Sequence, residues 1–181
     1  HMVDDEIQKG VEVLNSILPS ECAHDDPAKN RRYDAALLFL LHPVQLLRGD
    51  QAEQIVSDVA ENLQGEHGIK RYIGDSYWCA DYRTKVDESA RTGDFSNDMP
   101  LRDSLLNEGE EAQWTVFDST ISKYYGHRFH RTKDDEAFTR QTEYLNRALA
   151  QVTGDDSEHG AFKCTESYFL ENGVYVCNDV T

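Results

Sequence analysis

Glu166 has the surroundings expected of a catalytic carboxylate. It lies between two loop-forming segments near the C-terminal end of the sequence, and Phe162, Tyr168 and Phe169 lie beside it. A carboxylate held in a loop among aromatic rings is the kind of group that proteins use as a general base. A surface glutamate in an irregular segment would show the same pattern. Glu166 is therefore a candidate whose interpretation depends on the rest of the chain.

The same residue also fits the register of a calcium-binding loop. Asp155 would be the first ligand, Gly160 the glycine at position six and Glu166 the ligand at position twelve. Position five is His159, which is a poor calcium ligand, and no regular amphipathic helix follows Glu166. Calcium binding at 155–166 is thus an alternative, and the prediction for the chain is no metal and no cofactor.

Charge and length limit the partners of this protein. The chain has 181 residues, enough for one domain, and carries 34 acidic against 18 basic residues, for a net charge of -16. Such a field repels phosphate backbones and anionic lipids, so we expect neither nucleic acid nor a membrane surface as partner. The first two residues are typical of a cloning remnant, which leaves a single domain over 3–181.

The cysteines and histidines give no sign of a metal site or a disulfide framework. Cys22, Cys79, Cys164 and Cys177 are widely spaced and form no CxxC pair, which favours a reducing compartment and hence the cytoplasm. The histidines are scattered, and no cysteine or carboxylate cluster completes a ligand set around them.

Hydrophobic periodicity predicts helices along most of the chain. The clearest strand signal is a weak one at 173–176, so the predicted fold class is all-α, with helical hairpins and long loops gathered towards one end. The segment 33–47 is apolar nearly all round, which predicts a helix buried on every face and kinked at Pro43. The predicted helices cover 3–18, 33–47, 50–65 with a capping box at Asp50 and Glu53, 114–126, and 134–152.

Between the helices, residues 66–106 show no regular pattern but are rich in aromatic side chains. A long connection of this composition inside a compact domain is usually functional. Arg71 and Asp75 lie in this stretch, close to several tyrosines and Trp78.

Five segments together resemble glycoside hydrolase family 15, the glucoamylases. Residues 69–77 are similar to the family's Gly-x-Arg-Tyr-x-x-Asp-x-Tyr stretch, and 111–114 to the Trp-bearing helix start that follows it. Thr-Glu-Ser-Tyr at 165–168 and Asn-Asp-Val-Thr at 178–181 resemble the family's Ser-Glu-Gln-Tyr and Arg-Asp-Leu-Thr pair, and 33–38 resembles bacterial members. The phosphorylase kinase α/β regulatory subunits have the same layout.

This resemblance implies an (α/α)6 toroid whose active site lies in a funnel lined by loops. Glu166 would be the general base of an inverting reaction. Arg71 and Asp75 would hold the sugar hydroxyls, and Trp114 would form an aromatic wall. The family's general acid belongs to a Trp-Glu-Glu-like motif, and this chain has no counterpart of that motif. It also has no counterpart of the last helix, which closes the ring of the toroid. The resemblance therefore implies the C-terminal half of a toroid.

The expected function is part of a glucoamylase-like hydrolase that cleaves α-glucans or related oligosaccharides by inversion. A second expectation is a non-catalytic regulatory or carbohydrate-binding domain like the phosphorylase kinase subunits. The apolar segment 33–47 would need a cover, so we expect association with the remaining half of the toroid or self-association. Alone, the chain should not hydrolyse α-glucans, because inversion requires two carboxylates.

Overall fold

A computed structural model describes residues 2–91, 98–106 and 109–178 of the chain. Within these ranges it contains both helices and a four-stranded antiparallel sheet, so the all-α prediction is wrong. The predicted (α/α)6 toroid is therefore also wrong, because a toroid of helical hairpins does not contain a sheet that joins distant segments. The helices are α1 Met2–Ile17, α2 Asp50–Asn62, α3 Tyr82–Lys85, α4 Met99–Leu105, α5 Val116–Thr132 and α6 Asp135–Leu149, and the strands are β1 Ile69–Lys70, β2 Gln113–Trp114, β3 Ser167–Glu171 and β4 Val174–Cys177.

The ends of two helices lie close to the predicted bounds and follow from local chemistry. Helix α1 ends two residues before Pro19, which cannot continue a helix. Helix α6 begins after Asp134, whose side chain accepts a hydrogen bond from the backbone N–H of Glu136 at 3.1 Å. This contact satisfies one of the backbone donors that a helix start leaves free.

The start of α2 and the end of α5 differ from the predictions. Helix α2 begins after Gly49, which makes no side-chain cap, so the predicted capping box at Asp50 is wrong. Helix α5 passes through Gly126 and ends at Thr132. A Cβ at this position would lie 2.8 Å from Nε2 of Gln141 on α6, which is the end of a flexible side chain. Gly126 therefore lies at the contact between α5 and α6 without ending the helix.

The segment 33–47 is not the buried helix that its composition predicts. It forms a 3-10 helix, Ala35–Leu40, capped by the side chain of Asp34, and then turns away. Leu38 is fully buried, but Val44 is 61% exposed and Leu46 is 49% exposed. Pro43 has no N–H to extend a helix, and the backbone N–H of Leu46 donates back to the carbonyl of Leu40. An apolar run can therefore have only part of its residues in the core.

The core packs α2 and the 3-10 helix against the hairpin of α5 and α6. A second, smaller hydrophobic cluster includes residues of α3 and α4. The buried side chains of the first cluster include Leu38, Ile55, Val56, Val59, Leu63, Ile69 and Ile121, and those of the second are Cys79, Tyr82, Val86 and Leu105.

The sheet brings together segments that are far apart in sequence. Its order is β1-β2-β3-β4. Trp114 lies opposite Ile69 on one side and Ser167 on the other. Strands β3 and β4 form a hairpin around Asn172 and Gly173, which both have positive φ, as a tight hairpin turn requires. The weak strand signal at 173–176 is confirmed by β4.

None of the helices in the described part of the chain combines the length and the apolar character needed to cross a bilayer.

Candidate functional site

Arg71 and Asp75 form a bidentate ion pair just after β1. Nε of Arg71 lies 2.6 Å from Oδ2 of Asp75, and Nη2 lies 2.8 Å from Oδ1. The side chain of Asp75 is 1% exposed, and it also accepts a hydrogen bond from the backbone N–H of Tyr77. Burial lowers the pKa of Arg71, but the hydrogen bond and the charge of Asp75 outweigh burial and raise it. The guanidinium is thus a permanent cation in a fixed orientation.

Trp114 completes a group around this cation. The guanidinium carbon of Arg71 lies 4.8 Å from the indole centroid of Trp114 and 5.0 Å from the ring centroid of Tyr77. These two rings are nearly parallel, with an interplanar angle of 16° and centroids 6.2 Å apart. We call Arg71, Asp75, Tyr77 and Trp114 the arginine cluster. The prediction that Trp114 begins a helical stripe is wrong, because it is a strand residue opposite Ile69 and Ser167.

A second ion pair holds the loop that carries Arg71, Asp75 and Tyr77. Nζ of Lys70 lies 3.0 Å from Oε2 of Glu111, whose side chain is 1% exposed. Oε1 of Glu111 accepts a hydrogen bond from the backbone N–H of Gly74 at 3.0 Å. Gly74 has φ +87, a conformation that other residues adopt only with strain. The turn between Arg71 and Asp75 is therefore fixed by a buried carboxylate and a glycine.

Glu166 lines a cleft that Trp114 also lines. The cleft has a volume of about 590 Å³ and lies between the start of α5, the end of α6 and the loop before β3. We call it the Trp114–Glu166 cleft. Its polar residues are Thr115, Ser119, Thr165, Gln151 and Glu166, and Trp114 is its aromatic residue.

The position of Glu166 is set by contacts on both sides of its loop. Its backbone carbonyl accepts a hydrogen bond from the N–H of Thr115 at 3.3 Å, and Oγ1 of Thr115 donates to the carbonyl of Thr165 at 2.5 Å. Nδ2 of Asn178 donates to Oε2 of Glu166 at 3.2 Å. One carboxylate oxygen is therefore oriented by Asn178. The rest of the predicted 178–181 motif lies outside the described residues.

A buried ion pair joins α5 to α6 next to this cleft. Oδ1 of Asp118, which is 0% exposed, lies 2.7 Å from Nε of Arg147. Nη2 of Arg147 donates to the carbonyl of Gly65 at 2.9 Å. Burial raises the pKa of Asp118, and Arg147 opposes this effect. The cleft residues Ser119 and Ala148 adjoin the pair in sequence, so the pair fixes two walls of the cleft.

The four predicted site residues fall into two groups that share Trp114. Arg71 and Asp75 contact each other, and the guanidinium of Arg71 lies over the indole ring. Neither residue lines the Trp114–Glu166 cleft. Among the described residues, no group of three or more histidine, cysteine or carboxylate side chains is arranged to hold a metal ion.

No family model matches the chain. A comparison with curated proteins also gave no match. The resemblance to the glucoamylases accordingly rests on the short motifs alone, and the function has to be argued from the geometry of the site.

Several cleft residues could not be found from the sequence. Ser119 lies on α5 and Gln151 in the turn after α6, and nothing in their spacing indicates a common site. Asp118 and Arg147 are likewise brought together only by the α5–α6 hairpin. Tyr77, by contrast, is part of the motif at 69–77 and lies in the stretch whose aromatic composition indicates a functional loop.

Proposed function

We propose that the chain is the glucan-binding part of a glucoamylase-like glycoside hydrolase and that it carries the general base, Glu166. The observation that carries the proposal is that Trp114 and Glu166 line the same cleft. Its volume of about 590 Å³ falls in the range of small-molecule sites.

The lining of the cleft has the chemistry that a neutral sugar needs. An indole can pack against the apolar face of a pyranose ring, while hydroxyl, amide and carboxylate groups exchange hydrogen bonds with its hydroxyls. The net charge of -16 favours a neutral ligand over a phosphorylated one. An α-glucan or a shorter oligosaccharide fits both conditions.

Glu166 would act by taking a proton from the attacking water. Asn178 donates to its Oε2, which leaves Oε1 outside that hydrogen bond. A carboxylate with one oriented oxygen and one oxygen free for water is suited to general base catalysis.

Arg71 and Asp75 would act through Trp114 in this proposal. Their ion pair holds a cation beside the indole and so fixes one wall of the cleft. Direct contact between Arg71 and a sugar, which the resemblance implies, stays a prediction.

One observation favours the non-catalytic alternative, a regulatory or carbohydrate-binding domain resembling the phosphorylase kinase subunits. Among the described residues that line the cleft, Glu166 is the one carboxylate. Inversion requires a second carboxylate about 6.5–9.5 Å away, across the sugar. The hydrolase proposal thus requires that another segment or chain supply the general acid, whereas a binding domain requires none.

Two further parts of the proposal concern the surroundings of the protein. The four cysteines are free thiols, which supports a reducing compartment such as the cytoplasm. Exposed apolar side chains, among them Val3, Ile7 and Val44, support association with further segments of a larger assembly or with a second copy.

Glucan binding is tested by titrating maltotriose into the protein and measuring the heat of binding. Ala148→Trp places an indole in the cleft, so it should weaken binding at least tenfold. Asn146→Trp is the matched control, because Asn146 is exposed on the same helix and does not line the cleft. If the parent protein shows no binding, or both variants bind equally well, the proposed function is wrong.

Glu166→Gln separates the two candidate functions. In a preparation that releases glucose, it should lower the rate by ~10²–10⁴-fold while binding stays within a few-fold, because the amide keeps the shape but cannot take the proton. Glu158→Gln, in the exposed loop before Glu166, should leave the rate unchanged. Binding without any glucose release from the parent would favour the regulatory alternative.

A further inference from the structure

The segment 34–42, which includes the 3-10 helix, has one titratable group that responds near neutral pH. Between Ala35 and Leu47 the only ionisable side chain is His42. The segment packs on α5, where the ring of Phe39 lies 6.0 Å from that of Phe117. Asp34 at the start of the segment is the other ionisable group, and burial raises the pKa of its carboxyl above the usual value. His42 is the group of the segment whose usual pKa lies near neutral.

His42 packs directly on a second histidine. Its ring centroid lies 5.5 Å from that of His127 on α5, with an interplanar angle of 29°. Nδ1 of His42 is buried and has no hydrogen-bond partner among the described residues. A proton on Nδ1 would thus be a buried, charged donor without an acceptor, which is costly.

The charged groups that act on His42 both lie on α5 and are both basic. Burial lowers the pKa of His42 from its usual value of 6.5, and the charges of Lys123 and His127 lower it further. A histidine with a pKa lower in the folded than in the unfolded chain stabilises the fold above pH 6.5, and this stabilisation is lost as the pH falls.

We propose that His42 and His127 form an acid-sensitive latch, which holds the C-terminal end of the segment 34–42 on α5 at neutral pH and loosens it in mild acid. The other end of the segment stays in place, because Leu38 is buried in the core and the N–H of Ala35 donates to the carbonyl of Arg71 at 2.7 Å. The latch stands on this geometry and does not depend on glucan binding.

Hydrogen exchange measured by mass spectrometry at pH 7.5 and 5.5, corrected for the intrinsic effect of pH, tests the latch. The N–H groups of Leu41 and His42, which both donate to the carbonyl of Leu38, are the reporters. Their protection relative to α6 should fall roughly three- to tenfold between the two pH values. His127→Gln should diminish this fall, because burial and Lys123 still act on His42. His130→Gln, an exposed histidine on the same helix, should leave it unchanged.

Two results would overturn the proposal. One is equal protection of the reporters at both pH values in the parent protein, and the other is an undiminished fall in His127→Gln. A proton NMR titration of the imidazoles in the parent protein is a check that needs no variant. The latch requires a pKa of His42 below 6.5, and a value at or above it contradicts the proposal.

Discussion

Replacing Arg147 by methionine should be among the most destabilising single changes in the chain. The substitution leaves the carboxylate of Asp118, which is 0% exposed, without the guanidinium at 2.7 Å, and leaves the carbonyl of Gly65 without its donor. Removing one partner of a buried ion pair typically costs about 3–5 kcal/mol, because the remaining charge stays buried without compensation. We expect a loss of this size in the free energy of unfolding at pH 7, measured by urea denaturation.

The loss should depend on pH in a defined direction. Burial already raises the pKa of Asp118, and without Arg147 nothing opposes this effect. A carboxyl group whose pKa is raised by folding stabilises the fold when it is protonated and ceases to do so as the pH rises. The difference in stability between Arg147→Met and the parent should therefore be smaller at pH 4.5 than at pH 7.

Two comparisons make this experiment decisive. Arg140→Met removes a guanidinium from the same helix, but its pair with Glu143 is half exposed, so the loss should stay below about 1 kcal/mol. Combining Arg147→Met with Asp118→Asn should recover part of the stability, since no buried charge is left unpaired. A loss below 1 kcal/mol in Arg147→Met, or one that is the same at both pH values, would refute the reasoning.

The other predictions concern packing and are also checked by urea denaturation. Phe169→Ala should cost about 3–5 kcal/mol because the ring is fully buried, whereas Phe162→Ala, at a ring that is 86% exposed, should change stability by less than about 0.5 kcal/mol. Gly68→Ala should cost about 1–3 kcal/mol, because a Cβ there would lie 2.7 Å from the carbonyl oxygen of Trp114 and force β1 and β2 apart. Gly10→Ala should instead stabilise α1 by up to about 1 kcal/mol, since no atom lies within 4 Å of the added Cβ. Equal changes in stability for the two phenylalanine variants, or for the two glycine variants, would contradict the packing described.

The long amphipathic helices could be predicted because their signals are local. Pro19 and Asp134 mark helix ends through their own backbone and side-chain chemistry. Gly126 shows the limit of such signals. This glycine lies inside α5, opposite the side chain of Gln141 on the neighbouring helix, and only the tertiary structure reveals that contact.

The sheet and half of the site could not be predicted for a related reason. Strands β1 and β2 contribute two residues each, too few for an alternating pattern. Trp114 also matches a helical stripe with Phe117 and Ile121, although its hydrogen-bonded neighbours are strand residues. Arg71 and Asp75 were found as site candidates through the motif at 69–77, but their ion pair with each other was not predicted. The cleft that contains Glu166 is formed by segments whose meeting depends on the whole fold.

The two-residue strands also bear on the order in which the molecule assembles. The α5–α6 hairpin closes over a turn of a few residues, so it can form early and at little entropic cost. The sheet forms only when loops of tens of residues close, so that Ile69 pairs with Trp114 and Trp114 with Ser167. Each of these closures forms very few hydrogen bonds. Contacts of this kind slow folding. We therefore expect the indole of Trp114 to reach its final environment last, so that its fluorescence reports the slowest folding step while circular dichroism reports the earlier helices.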